Sequence, residues 1–275
     1  MRNFTVDKQQ KLIKFLLGAY GESITYSKLM KLLRQKDIKV NGVRIKNDIS
    51  LNEGDIVEVY FDGENYQKEI PIVYADENIV VVNKPYSTSY DGANMLISNI
   101  YPTATSVHRL DTNTTGLLIF ALNSVSENEL KKAFKTGKVC KKYLAQVYGT
   151  FDKKEDILVD YLVKDSTQSL VKVYKEKVEN ALTIKTGYKV LETYENSSLI
   201  EVTLYTGRTH QIRAHMSFYG HFVIGDGKYG KESINRTFKA KKQLLCAYKI
   251  NFNFAQESPL YYLNKKEISL NNKPW

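Results

Sequence analysis

Cysteine is almost missing from these 275 residues: Cys140 and Cys246 are the only two. Two thiols make neither a disulfide framework nor a four-ligand zinc site, so they are expected to stay reduced. No apolar run approaches the ~18 residues that a transmembrane helix needs. The opening Met1-Arg2-Asn3-Phe4 leads into polar residues rather than the apolar core of a signal peptide. A cytoplasmic protein with no membrane partner is the expectation. Glycine-rich phosphate loops of the GxxxxGK[ST] or GxGxxG type are also missing, so no nucleotide cofactor is indicated. Arginine is scarce, at 7 of the 40 basic residues.

What is present is ample apolar content (43%) and a formal net charge of +10. The first excludes wholesale disorder. The second permits a polyanionic partner without requiring one. The scarcity of arginine makes its placement informative. Arg109, Arg208 and Arg213 fall in two polar segments, and His108, His210, His215 and His221 lie in or near the same two.

Charge is unevenly spread. Residues 1–46 carry 11 basic and 3 acidic side chains, whereas 47–62 carry 5 acidic and none basic. Leu12, Ile13, Leu16 and Leu17 form a stripe at helical spacing. A second helix is predicted from Tyr26 to about Gln35, capped by Thr25. Lys28, Lys31 and Arg34 share one face of it, either as a binding surface or as an ordinary solvated face. Asn41-Gly42 between apolar residues signals a hairpin that includes Arg44, and 54–61 alternates as a strand. A small binding module over 8–62 is predicted, followed by a polar linker over 63–70. The rest, 71–275, interleaves strands and helices without repeats. Strands are predicted at 71–75, 79–82, 117–122, 143–148 and 199–204, and a helix at 126–135. This is an α+β pattern.

Two segments have the residue types that chemistry needs. In Ser106-Val107-His108-Arg109-Leu110-Asp111, a carboxylate lies just before a buried strand. Held ionised by a guanidinium, it could act as nucleophile or base; it could equally cap a turn. In Thr206-Gly207-Arg208-Thr209-His210-Gln211-Ile212-Arg213-Ala214-His215-Met216, a helix begun one residue before Thr209 would send Arg208 and Arg213 out about 140° apart. One could meet a carboxylate and the other a phosphate, or both could make surface salt bridges. The i, i+5 spacing of His210 and His215, with no third ligand evident, is poor for zinc, and no metal is expected. Tyr143 opens a strand in which it shares a face with Ala145 and Val147. It could stack on a base or belong to the core.

Together these segments resemble the RluA family of RNA pseudouridine synthases. His108 to Gly116 resembles H-R-L-D-x-x-T-S-G, with Thr115 in place of Ser. Thr206 to Met216 matches T-G-R-T-H-Q-I-R-x-H-M. Gly220-His221 and Gly225-Asp226-Gly227-Lys228-Tyr229-Gly230 resemble G-H…G-D-x-x-Y-G, and Val82-Asn83-Lys84-Pro85 matches V-N-K-P. Residues 8–62 resemble the small αL-type RNA-binding domain that many members carry. The chain departs from the pattern at Tyr86-Ser87-Thr88, at Cys246 where His is usual, and at Gly227 where Pro is common.

The resemblance implies a mixed, mainly antiparallel sheet with flanking helices over 71–275, preceded by a small α/β RNA-binding domain. It implies conversion of uridine to pseudouridine in RNA, large-subunit ribosomal RNA above all, by a monomer without cofactor or metal. Asp111 would be the catalytic aspartate, Arg213 its ion-pair partner and Tyr143 the residue packed on uracil. Arg109 would enter the RNA stack in place of the flipped base. His108, Arg208 and His210, with Lys28, Lys31, Arg34 and Arg44 in the small domain, are the expected RNA contacts. The competing readings are a tRNA-directed synthase, a non-catalytic RNA-binding or ribosome-assembly protein, and a metal-dependent RNA hydrolase, for which no ligand cluster is visible in the sequence.

Overall fold

The computed structural model describes residues 2–21, 24, 26–60, 70–165, 170–270 and 275. Thr25, residues 61 and 62 at the end of the predicted strand and module, and 63–69 of the predicted 63–70 linker lie outside the described residues. The chain divides into two compact units, 1–68 and 69–275.

The first unit contains β1 (Arg2–Thr5), β2 (Gln10–Lys11), α1 (Leu12–Tyr20), α2 (Tyr26–Gln35), β3 (Ile38–Val40), β4 (Val43–Ile45), β5 (Ser50–Leu51) and β6 (Ile56–Val59). Its main sheet has the order β1-β6-β3-β4. The β3–β4 turn places Asn41 at φ 50° and Gly42 at φ 80°, the double positive φ that explains Asn-Gly there. Leu12, Ile13 and Leu16 of α1 pack with Leu29, Leu32 and Leu33 of α2 against Ile38, Val57 and Val59. Strand β1 lies upstream of the predicted 8–62 range and pairs with β6. Local pattern hardly signals this strand, because Arg2-Asn3-Phe4-Thr5 offers a single large apolar side chain.

The second unit runs β7 (Ile72–Ala75), β8 (Ile79–Lys84), α3 (Tyr90–Ser98), β9 (Thr105–Ser106), β10 (Thr115–Ala121), α4 (Ser124–Lys135), β11 (Val139–Tyr148), β12 (Glu155–Asp165), β13 (Leu170–Tyr174), β14 (Leu182–Thr193), β15 (Ser197–Leu204), α5 (Gln211–Phe218), α6 (Glu232–Thr237), β16 (Leu245–Phe252) and β17 (Ile268–Ser269). The sheet order is β13-β12-β14-β15-β11-β16-β10-β8-β7, with β17 beside β16 and β9 beside β10. Every pairing is antiparallel except β10 with β16, which is parallel and joins only Thr115 to Cys246 and Gly116 to Ala247. The sheet is therefore mixed and mainly antiparallel, with helices packed on it.

That short parallel junction explains Gly116. Its φ is +106°, and a Cβ there would lie 2.2 Å from the Ala247 carbonyl oxygen. Any larger residue would push the two strands apart. One face of the sheet packs Val82, Leu118, Tyr143, Ala145, Val202 and Ile212 into a core. The other packs Val81, Ile119 and Ile250 beneath Leu130 and Ala133 of α4. Asn123 and Ser126 cap α4 reciprocally, so the helix starts at Ser124, two residues before the sequence-based boundary.

Candidate active site

Asp111 sits in the turn between β9 and β10, where its carbonyl accepts from the Thr114 amide at 3.0 Å. The loop is held by the buried ammonium of Lys84, which donates to the carbonyls of Thr112 (3.0 Å) and Thr88 (2.9 Å). Across the cavity, α5 begins immediately after His210, whose backbone is left-handed at φ 54°. Gln211 stabilises that strained entry. Its Oε1 accepts from the Arg208 amide (3.0 Å) and the Thr206 hydroxyl (2.9 Å), and its Nε2 donates to Thr186 Oγ1 (3.0 Å).

The entry geometry aims Arg213 at two carboxylates. Nη1 donates to Asp111 Oδ2 at 2.9 Å; Nε and Nη2 donate to Asp226 at 2.7 and 2.9 Å. The side chains of Asp111, Arg213 and Asp226 are 19%, 6% and 0% exposed. Burial opposes the charge on Arg213, but its bonds to Asp226 and Asp111 outweigh this and hold the pKa above the ordinary value. Asp226 shows the converse balance. Burial favours its neutral form, yet Arg213 and the amides of Lys228 and Tyr229 keep its pKa below that of an ordinary Asp.

His210 stands 3.9 Å from Asp111, too far for a hydrogen bond. The Tyr229 hydroxyl accepts from the Val171 amide at 2.9 Å and lies 2.9 Å from His210 Nδ1, which ties the imidazole to α5's neighbouring loop. Burial lowers the His210 pKa, and the Asp111 charge only partly opposes this. Tyr143 is buried, and burial followed by the Asp111 charge raises its pKa, so the phenol stays protonated. Asp111, Arg213, His210, Tyr143, Arg109 and Arg208 all line one cavity of about 100 Å³.

The structure therefore gathers most of the expected residues around this cavity. Arg109 is exposed at its rim, with its guanidinium 5.8 Å from the centre of the Tyr90 ring. Arg208 is exposed but precedes α5, so the expected 140° separation along one helix does not apply. His108 is a correction. Its Nε2 accepts from the Ile119 amide at 3.0 Å, and its ring lies 4.7 Å from Phe134. It is turned into the sheet rather than toward a ligand. In the first unit, Lys31 and Arg34 are exposed on α2 and Lys28 is half-buried. Arg44 and Lys39 lie 5.2 and 4.9 Å from the Tyr60 ring centre.

Sequence reasoning did not single out Asp226, Gln211 or Tyr229. The Gly-Asp-x-x-Tyr pattern contained the first and last, but nothing in it indicated that Asp226 would take two of the three Arg213 nitrogens. Among the described residues, no three His, Cys, Asp or Glu side chains cluster as a metal site, and no helix is long and apolar enough to cross a membrane.

The RNA pseudouridylate synthase family model matches residues 78–218. An uncharacterized RNA pseudouridine synthase of Mycoplasma capricolum subsp. capricolum is 31% identical, over 98% of this chain and 96% of that protein. The ribosomal large subunit pseudouridine synthase C of Rickettsia conorii is 33% identical over 82% of this chain and 83% of its own. Human RNA pseudouridylate synthase domain containing 1, a solved structure, matches with a TM-score of 0.64 and 27% identity, over 74% of this chain and 84% of that one. With the motifs of both polar segments facing one cavity, the chain belongs to the RluA family of RNA pseudouridine synthases.

Proposed function

We propose that this chain converts uridine to pseudouridine in large-subunit ribosomal RNA, with Asp111 as the reacting carboxylate. The observation that carries the assignment of Asp111 is its 2.9 Å contact with Arg213 in the cavity that Tyr143 also lines. The guanidinium holds the Asp111 carboxylate in place through that contact. The choice of ribosomal RNA is supported by relatives named ribosomal large subunit pseudouridine synthase C.

The reaction is an isomerisation. The N1–C1′ bond breaks with its electron pair passing to the uracil ring. C1′ then bonds C5, the C5 proton leaves to a base, and N1 gains a proton. Atoms and electrons balance without a co-reactant, so the proposal needs neither cofactor nor metal. Asp111 takes up C1′ or the ring, or assists elimination, while Tyr143 packs against the detached ring. Arg109, at the exposed rim, fills the stack left by the flipped base, whose extrusion costs roughly a few kcal/mol. The 1–68 unit grips structured RNA through Lys28, Lys31, Arg34 and Arg44. The protein acts as a monomer in the cytoplasm.

The test is tritium release from [5-³H]uridine-labelled ribosomal and transfer RNA by wild type and Asp111→Asn. Release from ribosomal RNA by wild type alone is expected. Release from transfer RNA only would replace the substrate. Binding without release from either RNA would favour a non-catalytic RNA-binding protein.

A further inference from the structure

Lys141 has no role in the reaction as described, yet it lines the same cavity as Asp111, Tyr143 and Arg213. It lies two residues before Tyr143 on β11. Its ammonium is 5.2 Å from the centre of the Phe134 ring. Its neighbour Lys142 is engaged with Glu201 at 2.7 Å. Lys141 has no carboxylate partner among the described residues.

The charge balance of the cavity gives this cation a task. Arg213 offsets one of the two carboxylates it binds; Arg109 and Arg208 also line the cavity but are exposed, so water screens their charge. His108 and His210 are held neutral, chiefly by burial, and Tyr143 stays protonated. Breaking N1–C1′ places a further negative charge on uracil inside this partly enclosed space. A preorganised cation that faces developing charge lowers the barrier more than it would in water.

We propose that Lys141 is a catalytic residue whose ammonium stabilises the negative charge on uracil as the N1–C1′ bond breaks; this rests on the function proposed above. The charged and titratable groups that share its cavity are Arg109 and Asp111 from the loop before β10, Tyr143 from its own strand, and Arg208, His210 and Arg213 from α5 and its leading turn; its charge also acts on His108. Burial draws the Lys141 pKa down to about 8. The ammonium is therefore mostly present at neutral pH and is lost as pH rises through that value. Turnover should fall on the same alkaline limb.

The experiment compares wild type, Lys141→Met and Lys141→Arg in single-turnover tritium release across pH, with RNA affinity and thermal melting measured in parallel. Lys141→Met is expected to bind RNA normally and to react ~10²-fold more slowly, the usual loss when one charge-stabilising donor is removed. Lys141→Arg is expected to recover most of the rate and to lose the fall near pH 8, because a guanidinium does not deprotonate there. Lys141→Met turning over within a few-fold of wild type would overturn the proposal, as would a defect confined to RNA affinity. Should Lys141→Met fail to fold, an alkaline limb unchanged in Lys141→Arg would overturn it as well. No release by wild type from any RNA would instead sink the proposed function, and this proposal with it.

Discussion

Arg213 holds Asp111 with one guanidinium nitrogen and Asp226 with the other two. The buried Asp226 thus orients the arginine that orients the cavity carboxylate. Removing one partner of such a buried pair leaves an uncompensated charge and typically costs ~3–5 kcal/mol. Asp226→Ala is expected to fall in that range in denaturant unfolding. Asp226→Asn, which keeps the shape, should cost less stability but still slow turnover, because Arg213 is no longer fixed toward Asp111. Full activity in Asp226→Asn would show that Asp111 needs no such support.

Acid sensitivity should come first from histidine. Burial lowers the pKa of His108, helped by Lys141; burial also lowers that of His215, where Asp160 opposes it. The unfolded chain takes up these protons near 6.5, while the folded chain resists them. Stability is therefore complete above that value and declines as pH falls below it, well before the carboxylates titrate. Unfolding free energy should drop between about pH 7 and 5, with a shallower slope in His108→Gln. An equal slope in the variant would mean that His108 is not held neutral.

Two glycines should be irreplaceable and a third should not. A Cβ at Gly225 would lie 1.9 Å from the Lys242 carbonyl oxygen, and at Gly116 2.2 Å from that of Ala247; both have positive φ. Alanine at either position is expected to cost ~2 kcal/mol or more, through strain and strand separation. Gly227 has open space and no positive φ. Gly227→Ala should stay within about 0.5 kcal/mol of wild type in thermal or denaturant unfolding.

Lys31 and Arg34 lie on the exposed face of α2, so removing them should not disturb the core of the first unit. Removal of a single phosphate-binding side chain lowers the slope of log affinity against log salt by about 1. Lys31→Ala/Arg34→Ala should therefore bind ribosomal RNA more weakly and with a flatter salt dependence. An unchanged slope would mark this face as merely solvated.

How far the site was legible depended on whether its residues sit near one another in sequence. The apolar stripes of α1 and α2, the Asn41-Gly42 turn and the strand cores at 79–82 and 117–122 were readable because their periodicity is local. The pairing of Asp111 with Arg213 was not: the residues are 102 positions apart, and only the family resemblance implied it. The inward turn of His108 was not readable: it depends on an Ile119 amide left open by the sheet. The start of α5 at Gln211 was missed because His210 adopts a left-handed backbone that only the surrounding hydrogen bonds support.

Long-range pairing also connects two departures from the family pattern. Thr115 stands where the family has Ser, and Cys246 where it has His. The two are direct partners in the short parallel junction of β10 with β16. Cys246 is fully buried, and burial raises its thiol pKa to about 11, with Thr115 acting in the opposite sense. The two side chains are thus neighbours, and a change of size at one is expected to be felt at the other. Cys246→His alone should overpack this buried position and cost ~1–3 kcal/mol. Thr115→Ser alone should cost less, by loss of one methyl. The double variant should recover part of the sum, with a coupling of ~0.5–3 kcal/mol in a denaturant double-mutant cycle. Strict additivity would show that the two side chains do not interact.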